Sequence, residues 1–180
     1  MKNKNGFTLP EILAVVTIIG VILLIFIPSY LNVLNTAKKE ISKQEQKMFI
    51  DSGNTYATAL KNNTDSYTDS SNNTYENYAF VEYLNSIAKR NQDGSLTATI
   101  PVTAEKLVKK GYYGDNCDYS DASKSGNCKV NKECTLNIEF EVNKVQPSES
   151  CDPSVDNCIT YYELGNYSTT IKDESKCTMK

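Results

Sequence analysis

The strongest constraint on the fold of this chain is an uncharged apolar segment near its N-terminus. Residues 12–37 contain no charged side chain, and residues 12–27 are almost wholly apolar. A helix rises about 1.5 Å per residue, and about 20 residues cross a bilayer. We therefore predict a single membrane-spanning helix that continues through Leu34. A secretory signal has a shorter apolar region followed by a small-residue cleavage site, which residues 28–30 do not supply.

The composition limits the kinds of function that such a chain can have. Its 180 residues suit about one globular domain. The formal net charge of -3 gives no attraction to nucleic acids, so we expect no nucleic-acid partner. Histidine is absent, which excludes Ser/His/Asp and Cys/His catalysis and histidine-containing zinc sites. Most hydrolase mechanisms are therefore excluded.

The residues before the apolar segment form an unusual pattern. A short basic hexapeptide, residues 1–6, ends in Gly6 and is followed by Phe7, Thr8, Leu9, Pro10 and Glu11. Glu11 is the unexpected member, because a carboxylate near the bilayer centre costs about 3 kcal/mol. Glu11 either complements the positive end of the helix dipole, worth ~0.3–1 kcal/mol, or has a specific partner.

This pattern resembles the class III signal of type IV pilins and of the related pseudopilins. The resemblance implies that a prepilin peptidase cleaves between Gly6 and Phe7 and N-methylates Phe7. It also implies assembly roles for Glu11 and for Pro28, where pilin helices often carry a proline and where we expect a bend. We hypothesise that the Phe7 amine of one subunit pairs with Glu11 of its neighbour and sets the axial register during assembly.

The predicted fold class is α+β, a pilin fold in which a long N-terminal helix packs on a small antiparallel β-sheet. Residues 1–6 form the leader, residues 7–35 the transmembrane and filament-core helix, and residues 36–60 its amphipathic second half. Residues 61–180 form a globular head. A free stalk or coiled coil is the alternative, although no heptad is sustained. The stripe that we expect under the head consists of Leu34, Ala37, Ile41, Met48, Ser52, Tyr56 and Ala59.

Within the head, turn-forming residues and hydrophobic periodicity predict the elements. Residues 62–73 are predicted to form a loop, and a short helix that begins with Asn73 as its capping residue ends near residues 91–94. Thr103 is predicted to cap a second helix that is terminated by Gly111. The predicted strands cover residues 96–100 and 136–142, together with a hairpin, residues 159–164 and 167–171, that turns at Gly165 and Asn166.

All six cysteines follow residue 116, and in an extracellular head they would form three disulfides. Fifteen pairings are possible and the sequence does not select one. We favour a local pair between Cys151 and Cys158, with Cys177 joining the C-terminal tail to an earlier strand or loop. No Cys-x-x-Cys spacing supports zinc and no EF-hand pattern supports calcium, so no metal is expected. The candidates are Cys117, Cys128, Cys134, Cys151, Cys158 and Cys177.

The resemblance implies a structural subunit that is polymerised into a type IV pilus for adhesion or motility, with no catalytic residue, no cofactor and no enzymatic activity. The chain would be a single-pass protein of the cell membrane before assembly and part of a surface pilus afterwards. Its implied partners are other pilin subunits, a prepilin peptidase, and an inner-membrane platform with an assembly ATPase. Two alternatives stay open: a pseudopilin of a type II secretion-like or competence system, and a bitopic membrane-anchored binding module with an accidental Gly6–Phe7 junction.

Overall fold

The computed structural model of the protein describes residues 9–146 and 161–177, and for residues 25, 28 and 29 it describes the backbone alone. The predicted cleavage junction at Gly6 and Phe7 and the predicted Cys151–Cys158 pair lie outside these ranges. The chain divides into two compact units between Gln44 and Glu45.

A single helix, α1 (Leu9–Lys61), contributes to both units. It continues through Pro28, and the bend expected there stays a prediction. Among the described residues, no helix has both the length and the apolarity required to cross a membrane, so the predicted span is not supported.

The helix α1 ends in a Schellman motif, in which Thr64 N–H donates to Ala59 C=O at 2.9 Å. Asn63 takes the left-handed conformation of this motif, with a φ of 56°.

The head is built on a four-stranded antiparallel sheet in the order β3-β4-β5-β6, which confirms the predicted α+β class. The strands are β3 (Lys89–Arg90), β4 (Leu96–Thr103), β5 (Thr135–Val145) and β6 (Tyr161–Ile171). A second, two-stranded sheet pairs β1 (Tyr67–Thr68) with β2 (Thr74–Tyr75). The remaining elements are the helices α2 (Asn77–Ile87) and α3 (Ala104–Lys109) and two 3₁₀ turns, Ser125–Asn127 and Glu174–Lys176.

Two of the head elements follow directly from local sequence. In β5 the apolar residues alternate with polar ones, and all four apolar positions from Leu136 to Val142 are buried. Before α3, the Thr103 hydroxyl accepts a hydrogen bond from Lys106 N–H, as a capping threonine should. Gly111 follows α3 with a φ of 78°, which glycine adopts without strain. The predictions for this strand and this helix are confirmed.

The predicted start of the helix after the polar loop is wrong. Asn73 does not cap α2; its N–H donates to the Asp69 carboxylate at 2.9 Å, inside the turn between β1 and β2. Glu76 is the N-cap residue, without a side-chain capping bond. Pairing of residues 74–75 with β1 removes these residues from the helix, because one residue cannot serve a strand ladder and a helix together.

The predicted hairpin at Gly165 and Asn166 is also wrong, since both residues lie within the single strand β6. The pairing with β5 shifts register between Phe140 and Val142, so that Gly165 and Asn166 of β6 both lie opposite Glu141 of β5. Asn166 N–H donates to Glu141 Oε2 at 3.1 Å. A Cβ at residue 165 would lie 2.7 Å from Asn143 Nδ2. The glycine thus permits a close approach in a bulge, not a chain reversal.

The face of α1 that packs in the head differs from the predicted stripe by about one residue. Ser52 and Tyr56 are buried as expected, whereas Met48 is 60% exposed and Phe49 is fully buried in its place. Gly53 allows the close contact, because a Cβ there would lie 2.5 Å from Leu136 Cδ1. The core residues that α1 contributes are Phe49, Tyr56, Ala57 and Leu60.

Candidate assembly surface

The first part of α1 exposes large apolar side chains on all sides. Leu9 is 81% exposed and Leu24 is 76% exposed. A helix that is apolar all round is normally buried, in a protein core or in a membrane. Monomeric soluble proteins rarely expose apolar patches larger than a few hundred Å². We call this region the apolar surface; its exposed large side chains are Leu9, Ile12, Leu13, Val15, Val16, Ile18, Ile19, Val21, Ile22, Leu23, Leu24, Phe26, Ile27, Tyr30, Leu31 and Val33.

Two hydroxyl groups within or beside the apolar surface are satisfied by the backbone of α1. The Thr17 hydroxyl lies 2.8 Å from the Ala14 carbonyl oxygen and 3.1 Å from that of Leu13. The Thr36 hydroxyl donates to the Asn32 carbonyl oxygen at 2.9 Å. These hydroxyl groups keep their hydrogen bonds when the surface is removed from water. Burying the surface therefore does not incur the cost of leaving a hydroxyl group without a partner.

Glu11 provides the negative charge of the apolar surface. It lies in the first turn of α1, where the helix dipole favours a carboxylate, and it is exposed. The next charged residue along the chain is Lys38. Glu11 and Pro28 lie on this one helix, while Gly6 and Phe7 lie outside the described residues. The described structure therefore places the carboxylate at one end of a long uncharged stretch.

The structure pairs four of the six candidate cysteines. Cys117 is bonded to Cys128. Cys177 is bonded to Cys134, the residue immediately before β5, so the C-terminal tail is joined to the base of a central strand. Within the described ranges, no group of three or more side chains is arranged to hold a metal ion.

Sequence reasoning missed a partly buried polar cluster that holds residues 62–76, the segment between α1 and α2. The Asp65 carboxylate, with only 19% of its side chain exposed, accepts hydrogen bonds from Lys110 Nζ at 2.5 Å and Tyr112 OH at 2.9 Å. Tyr56 OH donates to the Ser66 carbonyl oxygen at 2.7 Å. The Lys106 ammonium donates to the Thr68 carbonyl oxygen. No short-range pattern signals the ion pair and hydrogen bond of Asp65, because Lys110 and Tyr112 lie 45 and 47 residues from it in sequence.

The electrostatics of the cluster follow from burial and from these partners. Desolvation tends to raise the pKa of Asp65, but its hydrogen bonds from Lys110, Ser66 and Tyr112 bring the pKa below its ordinary value. Burial, followed by the Asp65 hydrogen bond, raises the pKa of Tyr112 to about 12. Burial, followed by repulsion from Lys110, lowers the pKa of Lys106 to about 8.

We predict that Asp65→Asn lowers the free energy of unfolding of the head by about 1–2 kcal/mol at pH 7, because Lys110 loses its ionic partner. The folded pKa of Asp65 lies below the ordinary value of 3.8, so its contribution is present above pH ~4 and is lost as the pH falls through the folded pKa. Urea unfolding, followed by the tyrosine signal at pH 7 and at pH ~2, measures the difference.

The control for this prediction is Asp51→Asn, an exposed acid on α1. It is expected to change the free energy of unfolding by less than about 0.5 kcal/mol. If the difference between Asp65→Asn and the unsubstituted chain persists unchanged at the acidic pH, the charge of Asp65 is not the source of the effect.

Comparison with known proteins identifies the N-terminal part of the chain. Residues 1–27 match the family model described as the prokaryotic N-terminal methylation motif, which is consistent with the type IV pilin family. The match confirms the resemblance that rests on Gly6, Phe7 and Glu11. No curated protein and no solved structure matches the chain.

Proposed function

We propose that this chain, with its N-terminal methylation motif, is a prepilin that is cleaved, methylated and polymerised into a type IV pilus for adhesion or motility. The observation that carries the proposal is the continuity of the motif with the apolar surface. The motif at residues 1–27 includes the first turns of α1 and most of the apolar surface, whose side chains have no cover in the described structure. The role is structural, with no catalytic step assigned to the chain.

The apolar surface would hold subunits together in the assembled filament. Full burial of a large aliphatic or aromatic side chain contributes roughly 1.5–3 kcal/mol. The apolar surface carries many such side chains, so once subunits have left the membrane, a filament core that covers this surface opposes their release into water. Before assembly, membrane lipid covers the same surface. Extraction from the membrane then requires an assembly platform with its ATPase.

Processing would prepare Glu11 for assembly. Cleavage after Gly6 removes both leader lysines and leaves an ammonium group on Phe7. Between Glu11 and Lys38 the chain carries no other charge that could compete for this amine. In a staggered bundle, the amine of one subunit pairs with the Glu11 carboxylate of the next and satisfies both charges away from water.

Processing can be tested directly on protein isolated from its native cells. We expect intact mass and N-terminal sequencing to show a chain that begins at Phe7 and carries one added methyl group. Gly6→Leu is expected to retain residues 1–6, because a bulky side chain replaces the small residue at the junction. The matched control, Gly20→Leu, lies within α1 and should be cleaved normally. A native chain that still begins at Met1 would contradict the prepilin assignment and favour a membrane-anchored binding module.

A further inference from the structure

The head contains a groove of about 340 Å³ between the C-terminal end of α1, the start of α2 and β6. This volume lies at the lower end of the range for small-molecule sites, ~300–1,000 Å³. We call it the Asn–Tyr groove. Its apolar lining comes from Tyr78, Val81, Tyr162 and Leu164, and three amides, Asn62, Asn63 and Asn77, also line it.

Tyr78 gives the groove an exposed aromatic wall. It is 52% exposed on α2, whereas Phe80 and Leu84 of the same helix are buried in the core. The core therefore does not require a tyrosine at residue 78. An aromatic face with a hydroxyl at its edge can contact apolar C–H groups of a ligand and donate or accept a hydrogen bond at the same time.

The three asparagines give the groove a polar rim. Within residues 9–146 and 161–177, no hydrogen bond engages the side-chain amides of Asn62, Asn63 and Asn77. Each amide can donate two hydrogen bonds and accept two. Hydroxyl groups of a ligand, which both donate and accept, match this set of partners.

The backbone beneath these amides is held in place. Asn63 belongs to the Schellman motif that ends α1, and Asn77 opens α2 with a φ of 50°. Between them, Asp65 is fixed by Lys110 and Tyr112. A rim that is ordered before binding loses less conformational entropy when a ligand arrives, which favours affinity.

The charge of the groove argues against an ionic ligand. Its lining includes one cation, Lys61, and one anion, Glu163. The Lys61 ammonium already donates to the Gly165 carbonyl oxygen at 2.7 Å. The two charges cancel, so neither an anionic nor a cationic ligand gains a net attraction.

From this chemistry we infer that the Asn–Tyr groove binds a neutral saccharide. A sugar ring has an apolar C–H face, which would lie on Tyr78, and an edge of hydroxyl groups, which the asparagine amides and the Glu163 carboxylate would bind. The groove has room for about one sugar ring. This inference goes beyond the proposed function and uses residues that have no part in processing or in the apolar surface.

The test uses the full-length chain in a detergent without a sugar headgroup. The probes are galactose, mannose, glucose and N-acetylglucosamine, measured by saturation-transfer NMR and by titration. We expect at least one of them to bind with a Kd near ~1 mM, as suits a small, open site. Glucuronic acid, an anionic relative of glucose, should bind no more tightly than glucose. Comparing oligomers of N-acetylglucosamine with galactose-terminated oligosaccharides then separates a cell-wall source of the ligand from a surface-glycan source.

Matched variants locate the binding to the groove. Tyr78→Ala should weaken binding about tenfold, and Tyr78→Phe, which keeps the ring face, should weaken it much less. Asn77→Gly keeps the positive φ accessible and removes the amide, so it should weaken binding several-fold. The control, Tyr161→Ala, removes a tyrosine that is 46% exposed outside the lining of the groove and should change binding less than twofold.

Three results would overturn the inference: no saturation transfer to any neutral probe from the folded chain, equal losses from Tyr78→Ala and Tyr161→Ala, or clear preference for glucuronic acid. Near-UV circular dichroism checks folding of each variant, and Asn77→Gly and Tyr78→Phe carry the test if Tyr78→Ala does not fold. Failure of saccharide binding would leave the processing result at Phe7 untouched, so the two proposals fail separately.

Discussion

Glu11→Ala is expected to reduce incorporation of the processed chain into filaments at least ~100-fold while leaving cleavage and methylation of Phe7 intact. Removing one member of a buried ion pair costs about 3–5 kcal/mol, which corresponds to two or more powers of ten in an association constant. Quantitative immunoblotting of sheared filaments against the membrane fraction measures incorporation. Intact mass of the membrane-fraction chain verifies processing.

Two further variants separate the charge of Glu11 from its size and position. Glu11→Gln retains the shape and loses the charge, so it should be nearly as defective as Glu11→Ala. Glu40→Ala, which removes an exposed acid of α1 whose carboxylate lies 3.7 Å from Lys43 Nζ, should assemble normally. Normal filaments from Glu11→Gln would refute the pairing of this carboxylate with a neighbouring amine.

The double variant Cys134→Ala/Cys177→Ala is expected to lower the free energy of unfolding of the head by about 4 kcal/mol. The two residues are separated by 43 positions, and a cross-link that closes a loop of this length restricts the unfolded chain by that amount in the chain-entropy relation. The bond also fixes the C-terminal tail to the base of β5. Denaturant unfolding followed by tyrosine fluorescence suits the measurement, because the chain has 12 tyrosines and no tryptophan.

The Cys117–Cys128 bond provides the matched comparison. It spans 11 positions, so Cys117→Ala/Cys128→Ala should lower the free energy of unfolding by about 3 kcal/mol, less than the longer loop. Non-reducing peptide mapping must show that the other bonds are unchanged in each variant. If loss of the shorter loop destabilises the head more than loss of the longer one, unfolded-chain entropy is not the main contribution of these bonds.

Local sequence was sufficient for the elements that a single short pattern decides. The alternation in β5 and the Thr103 cap with Gly111 around α3 were predictable, because a strand face or a helix end depends on residues a few positions apart. The same holds for the methylation motif, which is read within residues 1–27.

Predictions failed wherever the conformation or burial of a residue depends on another element that pairs or packs with it. Pairing with β1 draws Thr74 and Tyr75 out of the predicted helix. The length of β5 lets β6 run past Gly165 and Asn166, a pair that favours a turn in isolation. In α1, Met48 and Phe49 are adjacent and both apolar, so the sequence alone does not say which of them is buried. The position of the sheet decides that it is Phe49.

The sequence by itself determined that this chain carries an N-terminal methylation motif, a long uncharged segment at residues 12–37 and a polar region that contains all six cysteines. Those features depend on residue types and short spacings, which can be recognised without knowledge of the tertiary structure. Tertiary structure alone decided the Cys134–Cys177 bond, the Asp65–Lys110 cluster and the Asn–Tyr groove. Each joins segments separated by tens of residues, and the packing of the helices on the sheet selects among contacts that are equivalent along the unfolded chain.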